Sequence, residues 1–302
     1  MSNNRDNDPY TGVLPVYKER GFTSNDVVVK LRGILRMKRT GHTGTLDPEA
    51  VGVLPVCLGK ATKIAGYLSD TDKMYKCVMR LGITTDTEDM TGTVLNRSDC
   101  GSLDEERVTG AVRSFVGEYD QIPPMYSAKK INGKKMYEMA REGIEIERKP
   151  SRVFIKGISD INVSLSGGEA RAGFTVECSK GTYIRSLCRD IGEALGCGGC
   201  MESLERIRAC GIEAKDCITL AGISEAVKRG DIGKHILPTD FFYKDCTAMT
   251  VSGDEEKRVR NGNIFSVSGK EAGRYRVYLE DGTFAALYDI KGREAKLCRM
   301  FL

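Results

Sequence analysis

One octapeptide, Gly41-His42-Thr43-Gly44-Thr45-Leu46-Asp47-Pro48, constrains the fold of this chain more than any other stretch. Glycines at 41 and 44 open backbone conformations closed to other residues and let another chain come close. Pro48 fixes its own φ and biases Asp47 towards an extended conformation. The carboxylate is therefore carried on a shaped loop. Val51, Val53, Leu54 and Val56 follow directly and exclude water from that side. An ionised Asp47 there calls for a nearby cation. The bland alternative is a capping aspartate in a tight turn, since Asp-Pro is a common turn pair, and the loop alone does not decide between the two.

The flanks give the loop a setting. Thr23 and Ser24 precede Asp26 and then Val27, Leu31, Ile34 and Leu35, a helix signature with an N-cap and an acid in the first turn. That helix ends in the basic cluster Arg36, Lys38 and Arg39. His42, between glycines and beside that cluster, offers a base, a ligand or a flat ring that can stack on a nucleobase. Tyr75, Cys77, Met79 and Leu81 alternate and predict a strand. Strands are also predicted over 153–161 and 172–178. After Gly181, Ile184, Leu187, Cys188, Ile191 and Leu195 have helical spacing, with Arg185 and Arg189 one turn apart on the other face. The junction at Ser179-Lys180-Gly181-Thr182-Tyr183 puts backbone N–H groups where they favour an anion.

Residues 123–151 open with Pro123-Pro124 and close near Pro150. Between 129 and 149 they hold seven Lys or Arg against four Glu, which suggests a partly helical cationic excursion. A second basic concentration, seven Lys or Arg against two acids, spans 30–63. Two such runs flanking glycine loops suit a phosphate backbone lying across the protein. Beyond Pro238 short strands and glycine turns take over. Tyr275, Val277 and Leu279 alternate, Asp281-Gly282 is expected to supply a two-residue hairpin turn, and Phe284 to begin the return strand.

At 302 residues the chain suggests two domains. Its longest uncharged apolar run, 50–59, is far short of the ~20 residues that span a bilayer. The start, rich in Asn and Asp, lacks the features of a signal peptide, so a cytoplasmic protein is expected. The 11 cysteines then read as free thiols. Cys197 and Cys200 have metal-ligand spacing, but with two histidines in the chain and no second Cys-x-x-Cys, a zinc site lacks its other ligands. Gly59-Lys60-Ala61-Thr62 departs from the phosphate-loop pattern by one residue, which argues against nucleotide hydrolysis.

Several segments in the right order resemble the bacterial tRNA pseudouridine(55) synthases. They are the octapeptide with residues 52–63; Asp72-Lys73-Met74-Tyr75; Leu81-Gly82 with Thr85-Asp86-Thr87; Gln121 to Ala128; Gly133-Lys134-Lys135; Ser179 to Arg185; and Leu195-Gly196-Cys197-Gly198. The resemblance spans about residues 15–240. It implies an α+β catalytic domain over 13–238, with a mixed, largely antiparallel sheet flanked by helices, after a disordered tail over 1–12. The module over 239–302 resembles, more weakly, the RNA-binding PUA domain. The implied activity isomerises one T-loop uridine of tRNA, with no cofactor and no metal, in a monomer. By the same resemblance Asp47 is the essential aspartate, Tyr75 packs on the target base and assists proton removal at C5, and Arg185 pairs with Asp47. Tyr183 and Leu204 form the base pocket, and His42 takes a place in the RNA loop as nucleotides flip out. Lys18, Lys129 and Lys130 contact the substrate, the last two within an RNA-clamping insertion. Two positions depart from the family: Lys18-Glu19 stands where Lys-Pro is common, and Leu204-Glu205-Arg206 where Leu-Arg-Arg is common. The rival readings are a non-catalytic tRNA-binding protein, which would need the lysines but not Asp47, Tyr75 and Arg185, and a zinc or redox protein built on Cys197 and Cys200.

Overall fold

The computed structural model describes residues 8–302 apart from 128, 129, 132, 145, 146, 167 and 168. Most of the chain folds around one nine-stranded sheet. Its strands are β1 (Gly12–Lys18), β2 (Thr40–His42), β3 (Val51–Leu58), β4 (Lys73–Leu81), β5 (Gly117–Gln121), β6 (Ser151–Ser164), β7 (Ala170–Cys178), β8 (Gly199–Ala209) and β9 (Ile212–Glu213). The order is β1-β3-β8-β4-β7-β6-β5, with β2 on β3 and β9 on β8. Its pairs are antiparallel except β8 on β3, so the sheet is mixed and largely antiparallel, as expected. The parallel pair puts Arg206 opposite Gly52. Gly52 has φ +106, and a Cβ there would lie 2.3 Å from the Arg206 carbonyl, so only glycine lets these strands meet.

Helix α1 (Ser24–Leu35) starts in a capping box, with Thr23 accepting from the Asp26 N–H and Asp26 accepting from the Thr23 N–H. Its apolar side packs on β1 and β3 together with α4 (Leu220–Arg229). Helices α2 (Glu105–Arg113) and α3 (Ile184–Leu195) cover β4 and β7. All five apolar positions anticipated for α3 are buried, and Gly196 ends it in the left-handed region. Strand β6 runs three residues beyond 161 because its bulged pairing with β7 continues to Ser164.

A second, five-stranded sheet starts at Thr247 and contains the anticipated hairpin, Gly273–Tyr278 against Phe284–Lys291. Tyr243, Leu287 and Phe301 share an apolar cluster with Val13, Val53 and Ile64 of the larger body. Of the segment read as a tail, residues 1–7 lie outside the described residues, Asp8 pairs with Arg39, and Gly12 opens β1. Within 123–151 a two-stranded ladder (Lys130–Ile131, Lys134–Lys135) leads into a short helix (Met136–Arg141). Among the described residues no helix is long and apolar enough to cross a membrane.

Candidate active site

The Asp47 loop is held from both sides. Ser24, at the start of α1, accepts from the Leu46 N–H at 2.8 Å and donates to the Leu46 carbonyl at 3.1 Å. Lys18, at the end of β1, donates to the carbonyls of Ala50 (2.6 Å), Pro48 (3.0 Å) and Glu19 (3.2 Å). Leu46 and Ala50 anchor the loop in the central core beside Tyr75. The rigidity therefore comes from tertiary bonds. A side chain at Gly41 would meet nothing within 4 Å, and at Gly44 it would make ordinary contacts with Arg206 and Lys73, so neither glycine is demanded by the loop's own packing.

Lys18 differs from its anticipated role. It has no exposed surface, and its ammonium is committed to loop carbonyls, so it shapes the site without reaching a substrate. Burial pushes its pKa from 10.5 down to about 8, against the pull of Asp47 and Glu49. Between these values the unfolded chain binds more protons than the folded one, so this group adds stability as pH rises through that window. Urea unfolding of the wild type and Lys18→Met tests this. At neutral pH the variant is expected to lose about 1–3 kcal/mol through its orphaned carbonyls. The gap should widen between pH 8 and 10.5; a gap that stays flat or shrinks there contradicts the assignment.

Arg185 meets Asp47 through two bonds, Nε to Oδ2 at 2.9 Å and Nη2 to Oδ1 at 3.3 Å. It lies in the first turn of α3, with its side chain 6% exposed against 36% for Asp47. The guanidinium also donates to the carbonyls of Thr87 (2.9 Å) and Tyr126 (2.8 Å), and Asp89 lies 4.0 Å away. A planar cation held on all sides presents one fixed edge to the carboxylate. Tyr183 caps α3, and Gln121 clamps it by accepting from its N–H at 2.8 Å and donating to its carbonyl at 3.0 Å.

Tyr75 sits on β4 opposite Arg206. Burial raises its phenol pKa, partly offset by Arg206, so it is a neutral hydroxyl at physiological pH. Arg206, 1% exposed, donates to the carbonyls of Val53 (2.7 Å) and Gly44 (3.1 Å) and ties the octapeptide to the sheet. Lys73, on the same strand face as Tyr75, donates to the carbonyls of Ser69 (2.9 Å) and Thr71 (2.6 Å). Asp47, Tyr75, Tyr183, Arg185, Leu204 and Arg206 line one cavity of about 550 Å³. A second cavity, of about 440 Å³, touches Asp47 and Leu204 from the other side.

His42 does not line the large cavity. It ends β2, its Nδ1 is buried without a hydrogen-bond partner, and burial followed by Arg206 lowers its pKa, which favours a neutral ring. Lys129 lies outside the described residues, and of Lys130 only the backbone is described. Glu205, at the departure from the family pattern, accepts from the Tyr17 hydroxyl at 3.0 Å; burial, and after it Glu205, pushes that phenol up to about 12. The Cys200 thiol faces the Met90 sulfur at 3.4 Å, and the Cys197 thiol donates to the Gly198 carbonyl at 3.3 Å. Sequence reasoning did not assign Lys73, Gln121 or Arg206 to the site. The available signal was strand alternation, which puts an ionisable residue on the same face as Tyr75 at 73 and Leu204 at 206.

Residues 32–184 match the model of the TruB family pseudouridylate synthase N-terminal domain, and 185–242 match that of the tRNA pseudouridylate synthase B C-terminal domain. The chain is 46% identical over 308 residues to a tRNA pseudouridine synthase B of Lachnoclostridium phytofermentans, covering 96% of this chain and 99% of that one. A namesake in Staphylococcus haemolyticus is 44% identical over 261 residues, covering 85% and 86%. Among solved structures, a chain of a Cbf5-Nop10-Gar1 complex superimposes with TM-score 0.71 at 25% identity, covering 97% of this chain and 85% of that one. The two matched family models meet between Ile184 and Arg185, the arginine that grips Asp47, and the chain belongs to the TruB family of pseudouridylate synthases.

Proposed function

We propose that this chain converts uridine 55 in the T-loop of tRNA to pseudouridine. The C1′–N1 bond breaks, the base turns, and a C1′–C5 bond forms while C5 gives up its proton and N1 gains one. Atoms and electrons balance within the nucleotide, so no redox partner is needed. A uridine stacked in a folded loop must first be extruded, at a cost of a few kcal/mol. Stacking on Tyr75 and contacts to Tyr183 and Leu204 offset that cost. His42 fills the space the nucleotides leave. The cationic segment over 129–149, including Lys129 and Lys130, lies along the RNA backbone. The C-terminal sheet acts as a PUA-like RNA-binding module over 239–302, following a catalytic domain over 13–238. The protein works as a monomer in the cytoplasm.

The observation that carries this reading is a half-exposed carboxylate gripped by a buried arginine at the wall of a cavity floored by a tyrosine. Relatives named for tRNA pseudouridine synthesis support the substrate class. The test is tritium release from tRNA transcripts carrying 5-tritiated uridine. One equivalent is expected from the natural sequence and none when uridine 55 is replaced by cytidine. Unchanged release from the replaced transcript defeats the assignment of position.

A further inference from the structure

Glu88 holds φ +62, a left-handed conformation that a glutamate seldom keeps unless its surroundings impose it. Its side chain is 8% exposed, accepts from two donors and has a second guanidinium close by. Ser186 donates its hydroxyl at 2.6 Å, Arg189 donates through Nη1, and the Arg148 guanidinium stands 3.7 Å away. Both arginines also reach the start of the 123–151 segment, Arg189 while bonded to the Asp190 carboxylate at 2.7 and 2.9 Å. Arg189 donates to the Ile122 carbonyl at 3.1 Å, and Arg148 to the Pro123 carbonyl at 3.1 Å. One buried carboxylate thus gathers the start of the 123–151 segment, its end, and helix α3. Both neighbours of Glu88 touch the same guanidinium, with the Thr87 carbonyl accepting from Arg185 and the Asp89 carboxylate 4.0 Å from it. Tyr126, just past the start of the segment, supplies the remaining main-chain acceptor of Arg185.

We propose that Glu88 is a positioning residue: its carboxylate cinches both feet of the 123–151 segment to α3 and so keeps the Tyr126 carbonyl, and with it Arg185, in register with Asp47. The inference rests on the reading of Asp47 and Arg185 as the reacting pair. Glu88→Gln keeps the shape and removes the charge that two arginines share. A small displacement of a reacting group costs up to about 100-fold in rate, so kcat for tritium release is expected to fall by about 10–100-fold with KM little changed. Without RNA, trypsin should cut faster at the basic residues between 129 and 141, sites that neither variant removes, with the cuts located by mass spectrometry. Arg148→Met, which leaves Arg189 on Glu88, should act in the same direction. The double variant should be no slower than Glu88→Gln alone, because both act through one contact.

An unchanged kcat together with an unchanged trypsin rate overturns the proposal, and so does a double variant whose losses multiply. If Glu88→Gln does not fold, Arg148→Met decides alone by the same two readouts. The trypsin measurement needs no RNA, so its failure counts against this inference only. Absence of tritium release by the wild type counts against the functional reading instead.

Discussion

Asp47→Asn is expected to lower tritium release from 5-labelled tRNA by at least about 10³-fold, the scale lost when a positioned carboxylate leaves a reaction. Affinity for tRNA should barely change. The asparagine keeps the shape of the side chain, and Arg185 keeps its bonds to the Thr87 and Tyr126 carbonyls, so the guanidinium has no cause to move. The loop also keeps its anchors, because Ser24 and Lys18 bind main-chain atoms of residues 46, 48 and 50. Filter binding and thermal melting separate these effects. Turnover near wild type removes Asp47 from the chemistry. A large loss of binding or of melting temperature would instead show that its role is structural.

Arg185→Met removes more than a charge partner. It strips Asp47 of both its hydrogen bonds, takes the cation from beside Asp89, and leaves the Thr87 and Tyr126 carbonyls without their donor. Breaking a fully buried pair costs about 3–5 kcal/mol; here the expectation is about 2–3 kcal/mol, because Asp47 retains solvent that can stabilise it alone. Turnover should fall by about 10²-fold or more, since the carboxylate loses its orientation as well as its counter-charge. Arg185→Lys restores the charge but not the planar fork, so it should recover stability better than turnover. Urea unfolding and tritium release measured on both variants check this. Equal recovery of the two quantities by lysine would mean that charge alone matters at this position.

Several features were legible in the sequence because their causes lie within a few residues. The apolar spacing of α3, the Thr23 cap and the alternation through Tyr75 each follow from local geometry; the hairpin after Tyr275 also forms, but residues 280–282 make its loop between Leu279 and Thr283, one residue longer than the two-residue Asp281-Gly282 turn expected. The order of the motifs, with Asp47, Tyr75 and Arg185 among them, likewise pointed to the family to which the chain belongs. What only the tertiary structure decided is who meets whom. Arg185 reaches Asp47 across 138 residues, Arg206 reaches the Val53 carbonyl across 153, and Gln121 clamps Tyr183 across 62. Lys18 looked available for RNA and is instead spent on the carbonyls that shape the Asp47 loop, while Glu88 gave no local signal of the two arginines it gathers. The physical reason is that hydrophobic period and capping act over one or two turns of chain. The partners of a buried charge are set by strand register and helix docking, and those emerge once distant segments pack.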